Sequence, residues 1–178
     1  MNKSEITPAQ LEKAIRNISD FPQPGIQFKD ITPVLADAQL FRGCIDLLTA
    51  TFRPGSVDTV VGIDARGFIF AAAAALKLEA GFVPVRKKGK LPYGTYEQSY
   101  DLEYGSNTIA IHTDAVKPGS RVLLVDDLLA TGGTAAAAAT LLKKVGADIL
   151  ELIFLIELGA LKGREKLKGF PVRSLIVY

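Results

Sequence analysis

The fold is decided by the stretch Val122-Leu123-Leu124-Val125-Asp126-Asp127-Leu128-Leu129-Ala130-Thr131-Gly132-Gly133-Thr134. Its first residues predict a buried strand that ends at Val125; two carboxylates follow, and a Gly/Thr-rich turn leads into an alanine-rich helix. Glycines permit a tight turn with converging backbone N–H groups, and the helix N-terminus behind them favours an anion. Carboxylates accept hydrogen bonds from hydroxyl groups. The order of these groups indicates a site for a sugar phosphate.

Strands and helices alternate on both sides of this stretch. Short loops that contain glycine join them, which predicts an α/β protein with a mainly parallel sheet. The predicted strands are 59–63, 82–86, 121–125 and 149–156, and the predicted helices are 67–78 and 134–145. Segments 95–102 and 108–112 are interpreted as two arms of an antiparallel excursion.

Two further helices are predicted before the sheet. Thr7 is suited to cap the first helix, with Pro8 at its first position and Gln10 completing a capping box. Apolar residues at helical spacing extend this helix to Ile18. Asp37 is expected to cap the second helix, which runs to residue 52.

Composition limits the function classes. The chain has 178 residues, 48% of them hydrophobic and 22% charged, which fits one soluble domain over 1–178. A net charge of +2 gives no electrostatic argument for nucleic acid. Cys44 is the single cysteine, and no signal peptide or bilayer-length apolar run is found, so we expect a cytoplasmic protein without a membrane partner.

A second candidate anion site follows the strand 59–63. Asp64-Ala65-Arg66 forms a turn into the next helix, and Arg66 is suited to bidentate contact with phosphate. The basic run Arg86-Lys87-Lys88-Gly89-Lys90 follows the strand 82–86. This run has two alternative interpretations, a solvated basic loop and a patch that binds nucleic acid. Its place beside two candidate phosphate sites favours a clamp for pyrophosphate.

Asp126 and Asp127 also leave alternatives open. Adjacent carboxylates in a buried strand end need partners, which ribose hydroxyls or Mg²⁺ would supply. Solvated loop acids are the simpler interpretation of such a pair. The glycine turn has no lysine before its final threonine, and the chain has no G-x-G-x-x-G, so neither a Walker loop nor a dinucleotide fingerprint is present.

Taken together, these residues resemble the type I phosphoribosyltransferases, whose signature matches residues 122–134. Segments 20–33, 86–92, 102–105 and 161–167 are similar to the adenine-using branch of that family. The resemblance implies the type I fold, a mainly parallel twisted sheet flanked by helices, with an N-terminal hood at about 20–33 and a flexible lid at about 86–105. It also implies a reaction: adenine and 5-phosphoribosyl-1-diphosphate give AMP and pyrophosphate in purine salvage.

The resemblance assigns the sugar and phosphate sites residue by residue. The 5-phosphate would bind Ala130, Thr131, Gly132, Gly133 and Thr134, and the ribose hydroxyls would bind Asp126 and Asp127. Pyrophosphate would bind Asp64, Ala65, Arg66, Arg86, Lys87 and Lys90, and the family often has a non-proline cis peptide in the Asp64 turn.

The resemblance also assigns the base site and the catalytic group. Adenine would contact Gln27, Phe28, Lys29 and Leu128. Glu103 would act as general acid/base at the purine. Mg²⁺ would be held mainly by substrate and water rather than directly by side chains, and the enzyme would be a homodimer.

Two competing functions are weighed against this one. A phosphoribosyltransferase that uses hypoxanthine, xanthine or orotate would share the sugar-phosphate residues. A non-catalytic regulator that binds nucleic acid would keep the ligand site. The modest charge, the basic lid, the presence of Glu103 and the absence of an added DNA-binding segment argue against the regulator.

Overall fold

A computed structural model describes residues 5–101 and 105–178. The chain divides into two compact units, residues 1–50 and residues 51–178. The prediction of a single domain over 1–178 stays a prediction. No helix within the described ranges has both the length and the hydropathy needed to span a bilayer.

Within its described residues, 5–50, the first compact unit holds three short helices and a hairpin. Its elements are α1 (Pro8–Ala14), β1 (Arg16–Ser19), β2 (Gln27–Asp30), α2 (Thr32–Ala36) and α3 (Ala38–Leu48). The predicted capping box is confirmed: the Thr7 side chain accepts a hydrogen bond from the backbone N–H of Gln10, and the Gln10 side chain accepts one from the backbone N–H of Thr7. Asp37 caps α3 by accepting hydrogen bonds from the backbone N–H groups of Gln39 and Leu40.

The extent of the predicted first helix is wrong. The helix ends at Ala14, Ile15 adopts an extended conformation, and the chain continues as β1. Ile18 lies opposite Phe28 in the antiparallel hairpin, so strand pairing determines the structure there rather than helical spacing. The second predicted helix also ends early, at Leu48 rather than at residue 52, and α2 is an element that the sequence did not predict.

The second compact unit is built on a seven-stranded sheet. Its strands are β3 (Thr59–Ile63), β4 (Gly81–Lys87), β5 (Thr95–Asp101), β6 (Ser106–His112), β7 (Arg121–Leu129), β8 (Asp148–Glu157) and β9 (Val172–Val177). The strand order is β5-β6-β4-β3-β7-β8-β9. Strands β4, β3, β7, β8 and β9 are parallel, and β5 and β6 are antiparallel. The predicted mainly parallel sheet and antiparallel excursion are confirmed.

Two helices cover this sheet where they were predicted. Helix α4 runs over Gly67–Leu78, and helix α5 over Gly133–Lys144. Both are rich in alanine, and Ala71, Ala74 and Ala138 have no exposed surface. Alanine combines high helix propensity with a small side chain, so these helices approach the sheet closely.

Strand β7 is longer than the sequence predicted, and this shapes the site. It continues to Leu129 because β8 pairs with it as far as Glu157. On its other side, β3 pairs with β7 only as far as Val125 and ends at Ile63. The last four residues of β7 therefore project past a shorter neighbour, which leaves room for a pocket above β3.

Candidate active site

A pocket of about 310 Å³ lies at the carboxyl ends of β3 and β7. This is where ligands bind in open α/β sheets. Its lining consists of Ile63, Asp64, Ala65, Arg66, Tyr100 and the continuous segment 126–135. Eleven of the residues that the sequence assigned to ligand contact, namely 64–66, 126–128 and 130–134, thus line one pocket.

The glycine turn presents a helix N-terminus to this pocket. Gly132 has a φ of 77°, in the left-handed region, and α5 begins at the next residue. The first N–H groups of a helix have no acceptor within the helix, so they are suited to an anion. The Thr134 hydroxyl, in the first turn of α5, donates a hydrogen bond to the Tyr100 hydroxyl at 3.0 Å.

Asp126 and Asp127 are adjacent carboxylates near the end of β7. The backbone N–H of Asp127 donates to Oδ1 of Asp126 at 2.9 Å. Burial raises the pKa of Asp126 well above its usual range, and the neighbouring charge of Asp127 raises it further. Burial also raises the pKa of Asp127, but its ion pair with Arg66 opposes that rise. Two adjacent buried carboxylates are stabilised by cations and by hydroxyl groups that donate hydrogen bonds to them.

A network of cations surrounds the turn after β3. Asp64 accepts a hydrogen bond from Nε of Arg86 at 3.2 Å, and Nζ of Lys90 lies 3.7 Å from the same carboxylate oxygen. Arg86 also donates to the backbone carbonyl of Lys90 at 3.1 Å, which fixes the loop after β4. The peptide bond between Asp64 and Ala65 is cis. Lys87 is exposed at the end of β4.

The residues assigned to adenine lie in two places. Leu128 is half-buried in the pocket lining. Gln27, Phe28 and Lys29 belong to β2 of the first compact unit, where the Phe28 ring meets the Phe21 ring edge-on at 5.1 Å. Glu103, the predicted acid/base, lies outside the described residues.

The pocket suits a cation that a substrate brings with it. In the described parts of the chain, no cluster of three or more His, Cys, Asp or Glu side chains is arranged to hold a metal ion. The carboxylate oxygens of Asp126 and Asp127 are hard ligands, and Mg²⁺ in such sites takes one or two carboxylates together with substrate phosphates and water. The donor set therefore fits Mg²⁺ bound with a diphosphate.

Comparison with known proteins decides the family. The phosphoribosyl transferase domain model matches residues 31–174. The adenine phosphoribosyltransferase of Acidothermus cellulolyticus is 59% identical over 162 residues, which are 91% of this chain and 92% of that protein. The chain belongs to the adenine phosphoribosyltransferase family. The predicted family and enzyme class are confirmed.

Solved structures of adenine phosphoribosyltransferases share the fold. That of Rhodothermus marinus is 50% identical, with a TM-score of 0.91 over 96% of this chain and 98% of that one. That of Saccharomyces cerevisiae is 42% identical, with a TM-score of 0.89 over 94% and 97% of the two chains. The yeast enzyme was crystallised with adenine and an imino-altritol bisphosphate. The type I fold and the purine salvage reaction that the sequence predicted are confirmed.

Sequence reasoning missed two residues that shape the pocket. Tyr100 reaches the lining from β5, inside the predicted lid at about 86–105, and it was not among the residues assigned to ligand contact. Gly163 lies against the glycine turn from a segment that was noted only for its resemblance. Neither position carries a local signal, because each meets the glycine turn only in the folded protein.

Proposed function

We propose that this pocket binds 5-phosphoribosyl-1-diphosphate and transfers its phosphoribosyl group to adenine, releasing pyrophosphate and forming AMP. The observation that carries the proposal is the convergence of a helix N-terminus, two carboxylates and Arg66 on one cavity. These groups match the three parts of the substrate: a terminal phosphate, a ribose with two hydroxyls, and a diphosphate.

Each part of the sugar substrate has a proposed set of partners. The 5-phosphate binds the turn at 130–134, and Asp126 and Asp127 accept hydrogen bonds from the ribose hydroxyls. Pyrophosphate binds the turn at 64–66. Arg86 and Lys90 support this assignment because both lie within 4 Å of Asp64, so their charge is concentrated beside the turn. Lys87 adds a cation from the end of β4.

The base has proposed partners that rest on the family resemblance. Leu128 packs against adenine, and its half-buried place in the pocket lining supports this role. Gln27, Phe28 and Lys29 contact the base, with Phe28 stacking on it. A phenylalanine ring supplies the apolar face that a purine needs.

The residues of the chain accelerate transfer by electrostatics and proton control. Cleavage of the bond between C1 and pyrophosphate places positive charge on the ribose and negative charge on the leaving group. Arg66, Arg86 and Lys90 stabilise the departing anion, and such preorganised charge is the largest catalytic contribution in many enzymes. When bound, Mg²⁺ supplies further charge neutralisation at the diphosphate. N9 forms its bond to C1 as the bond from C1 to pyrophosphate breaks, and Glu103 accepts the proton that the purine loses.

We propose that two copies of the chain form a homodimer through the outer face of α4. Ile69 is 40% exposed and Leu76 is 84% exposed, and a spacing of seven residues places both on one face. Phe82 is also exposed, and its ring meets that of Phe68 edge-on. Apolar surface of this kind is typical of a protein interface.

Light scattering after size-exclusion chromatography tests the dimer. We expect the wild type to elute as a dimer and Leu76→Glu as a monomer. Val177→Glu, at an exposed apolar residue of β9, is the matched control and should leave the mass unchanged. A monomeric wild type would refute the proposal.

We also place the enzyme in the cytoplasm, because a chain with one cysteine, buried Cys44, suits a reducing compartment.

A panel of bases tests the reaction itself. Pyrophosphate release is measured with 5-phosphoribosyl-1-diphosphate and adenine, hypoxanthine, xanthine or orotate in turn. We expect turnover with adenine. Turnover with another base alone would reassign the specificity, and binding without turnover, together with a DNA gel shift, would favour the regulator.

A further inference from the structure

The backbone of Gly163 presses directly on the glycine turn. A Cβ atom built on Gly163 would overlap the carbonyl oxygen of Ala130 and would lie 2.9 Å from the backbone nitrogen of Gly132. The contact is reciprocal, since a Cβ on Gly132 would overlap the carbonyl oxygen of Gly163. Two backbones this close leave no room for a side chain at either position.

The segment that carries Gly163 is anchored to the sheet by Arg164. Its guanidinium donates to both carboxylate oxygens of Glu157 and, at 2.7 Å, to the backbone carbonyl of Val172. Ser174 donates to Glu157 at 2.7 Å. Leu167, at the end of the same 3-10 turn (Gly163–Leu167), is buried. Paired hydrogen bonds between a guanidinium and a carboxylate fix their relative geometry, so they restrict movement of the segment that carries Arg164.

The Arg164–Glu157 anchor and the glycine turn lie at the ends of two paired strands. Glu157 is the last residue of β8 and pairs with Leu129, the last residue of β7. Ala130, the first residue of the turn, follows directly. The turn that Gly163 contacts is therefore held on one side by β7 and on the other by a segment fixed to the end of β8.

We propose that Gly163, held in place by the Arg164–Glu157 ion pair, is a positioning residue that sets the backbone of the 5-phosphate turn. This rests on the proposed function, because it requires that the turn at 130–134 binds the 5-phosphate. Gly163 contacts no substrate. It acts by fixing the directions of N–H groups that do, and a displacement of about 1 Å at such groups can cost about 100-fold in activity.

Two ligands separate this role from a general effect on folding. Ribose 5-phosphate needs the turn at 130–134, whereas pyrophosphate needs the turn at 64–66. Affinities for both are measured by calorimetry on the wild type, Gly163→Ala and Gly81→Ala, together with melting curves. Gly81 is the matched control because a Cβ there lies no closer than 3.7 Å to any neighbour.

We expect Gly163→Ala to lower the affinity for ribose 5-phosphate by about tenfold or more. Its pyrophosphate affinity and the properties of Gly81→Ala should change little. In turnover assays, the KM for 5-phosphoribosyl-1-diphosphate should rise more than the KM for adenine. Equal losses for both ligands, or an unchanged affinity for ribose 5-phosphate, would overturn the proposal.

A second pair of variants decides the matter if Gly163→Ala does not fold. Arg164→Lys keeps the charge but loses the fork to Glu157. Arg121→Lys is its control, since Arg121 makes a similar fork to Asp58 at the opposite end of β7. The ligand-specific loss should appear in Arg164→Lys alone, and its absence there would overturn the proposal. A wild type that binds no ribose 5-phosphate would instead refute the proposed function.

Discussion

Nη2 of Arg66 lies 2.6 Å from Oδ2 of Asp127, so one ion pair joins the turn after β3 to the end of β7. The Asp127 side chain is 9% exposed and that of Arg66 is 35% exposed. We assign Arg66 to the diphosphate of the substrate and Asp127 to its ribose, so the pair links the sites for two parts of one molecule. Substitution of either residue should therefore alter the environment of the other.

A double-mutant cycle measures this link. Arg66→Gln and Asp127→Asn should each raise the KM for 5-phosphoribosyl-1-diphosphate, and the double variant should lose less than the product of the two effects. We expect a coupling energy of about 1 kcal/mol, within the range seen for residues in contact. Lys88 and Glu97 form a control pair at 2.8 Å that is more exposed. Strictly additive effects at Arg66 and Asp127 would contradict the prediction.

Asp126→Asn should make the protein more stable and less active at pH 7. Burial and the charge of Asp127 raise the pKa of Asp126, so the folded state resists ionisation of this carboxyl. The folded protein therefore loses stability as the pH rises from the pKa of this carboxyl in the unfolded chain, about 3.9, through its higher pKa in the folded state. Asparagine can still accept the hydrogen bond from the Asp127 N–H. We expect a gain of about 1 kcal/mol or more in the free energy of unfolding.

Urea denaturation at several pH values checks this expectation. The gain should be present at pH 7 and should shrink towards pH 3, where the carboxyl of the wild type is neutral as well. Asp148→Asn, at an exposed carboxylate in β8, is the control and should show no such gain. A loss of stability in Asp126→Asn at pH 7 would mean that the charge has compensating partners.

Local sequence was sufficient for the elements that carry the pocket. The apolar run of β7 and the glycine turn predicted the parallel sheet and the helix N-terminus because each follows from chemistry within a few residues. The position of Asp126 was less well predicted. Its strand continues to Leu129 only because β8 pairs with it that far, and strand pairing is a property of the fold rather than of the segment.

Long-range contacts account for what the sequence did not predict. Ile18 has helical spacing but pairs across a hairpin with Phe28. Strand β9 lies at the edge of the sheet beside β8, and the sequence predicted no strand there. Tyr100 enters the pocket lining and Gly163 contacts the glycine turn, each from a segment distant from that turn in the sequence. Periodicity and capping describe neighbours along the chain, so they contain no information about such contacts.

Tyr100→Phe should weaken binding of 5-phosphoribosyl-1-diphosphate. The Tyr100 hydroxyl accepts a hydrogen bond from Thr134, and its own hydrogen can donate into the pocket. A hydrogen bond to a charged phosphate contributes about 1.5–3 kcal/mol, so we expect the KM to rise about tenfold or more. Steady-state kinetics check this, with Tyr93→Phe as the control at an exposed tyrosine. An unchanged KM would show that Tyr100 serves packing alone.

Glu103→Ala should reduce kcat strongly while leaving sugar-diphosphate binding intact. The family resemblance assigns Glu103 to proton transfer at the purine, and such a group contributes about 10²–10⁴-fold. The kcat and the affinity for 5-phosphoribosyl-1-diphosphate are measured separately. Glu97→Ala removes an exposed carboxylate from β5 and should leave kcat unchanged. Full turnover by Glu103→Ala would remove this residue from the mechanism.

The ion pair between Arg164 and Glu157 at the end of β8 should lose its contribution to stability in acid. Hydrogen bonds from Arg164, and then from Ser174, lower the pKa of Glu157. A depressed pKa contributes stability above the unfolded value, near 4.3, and that stability is lost as the pH falls through the folded value. Glu157→Gln should therefore cost about 1–3 kcal/mol at pH 7, and the difference from the wild type should shrink towards pH 3. Urea denaturation measures the loss of stability at pH 7 and its change with pH.

Asp58→Asn is the control because it breaks an exposed ion pair with Arg121, where solvent screening should make the loss of stability smaller. A cost in Glu157→Gln that stays constant with pH would assign the effect to packing rather than to charge.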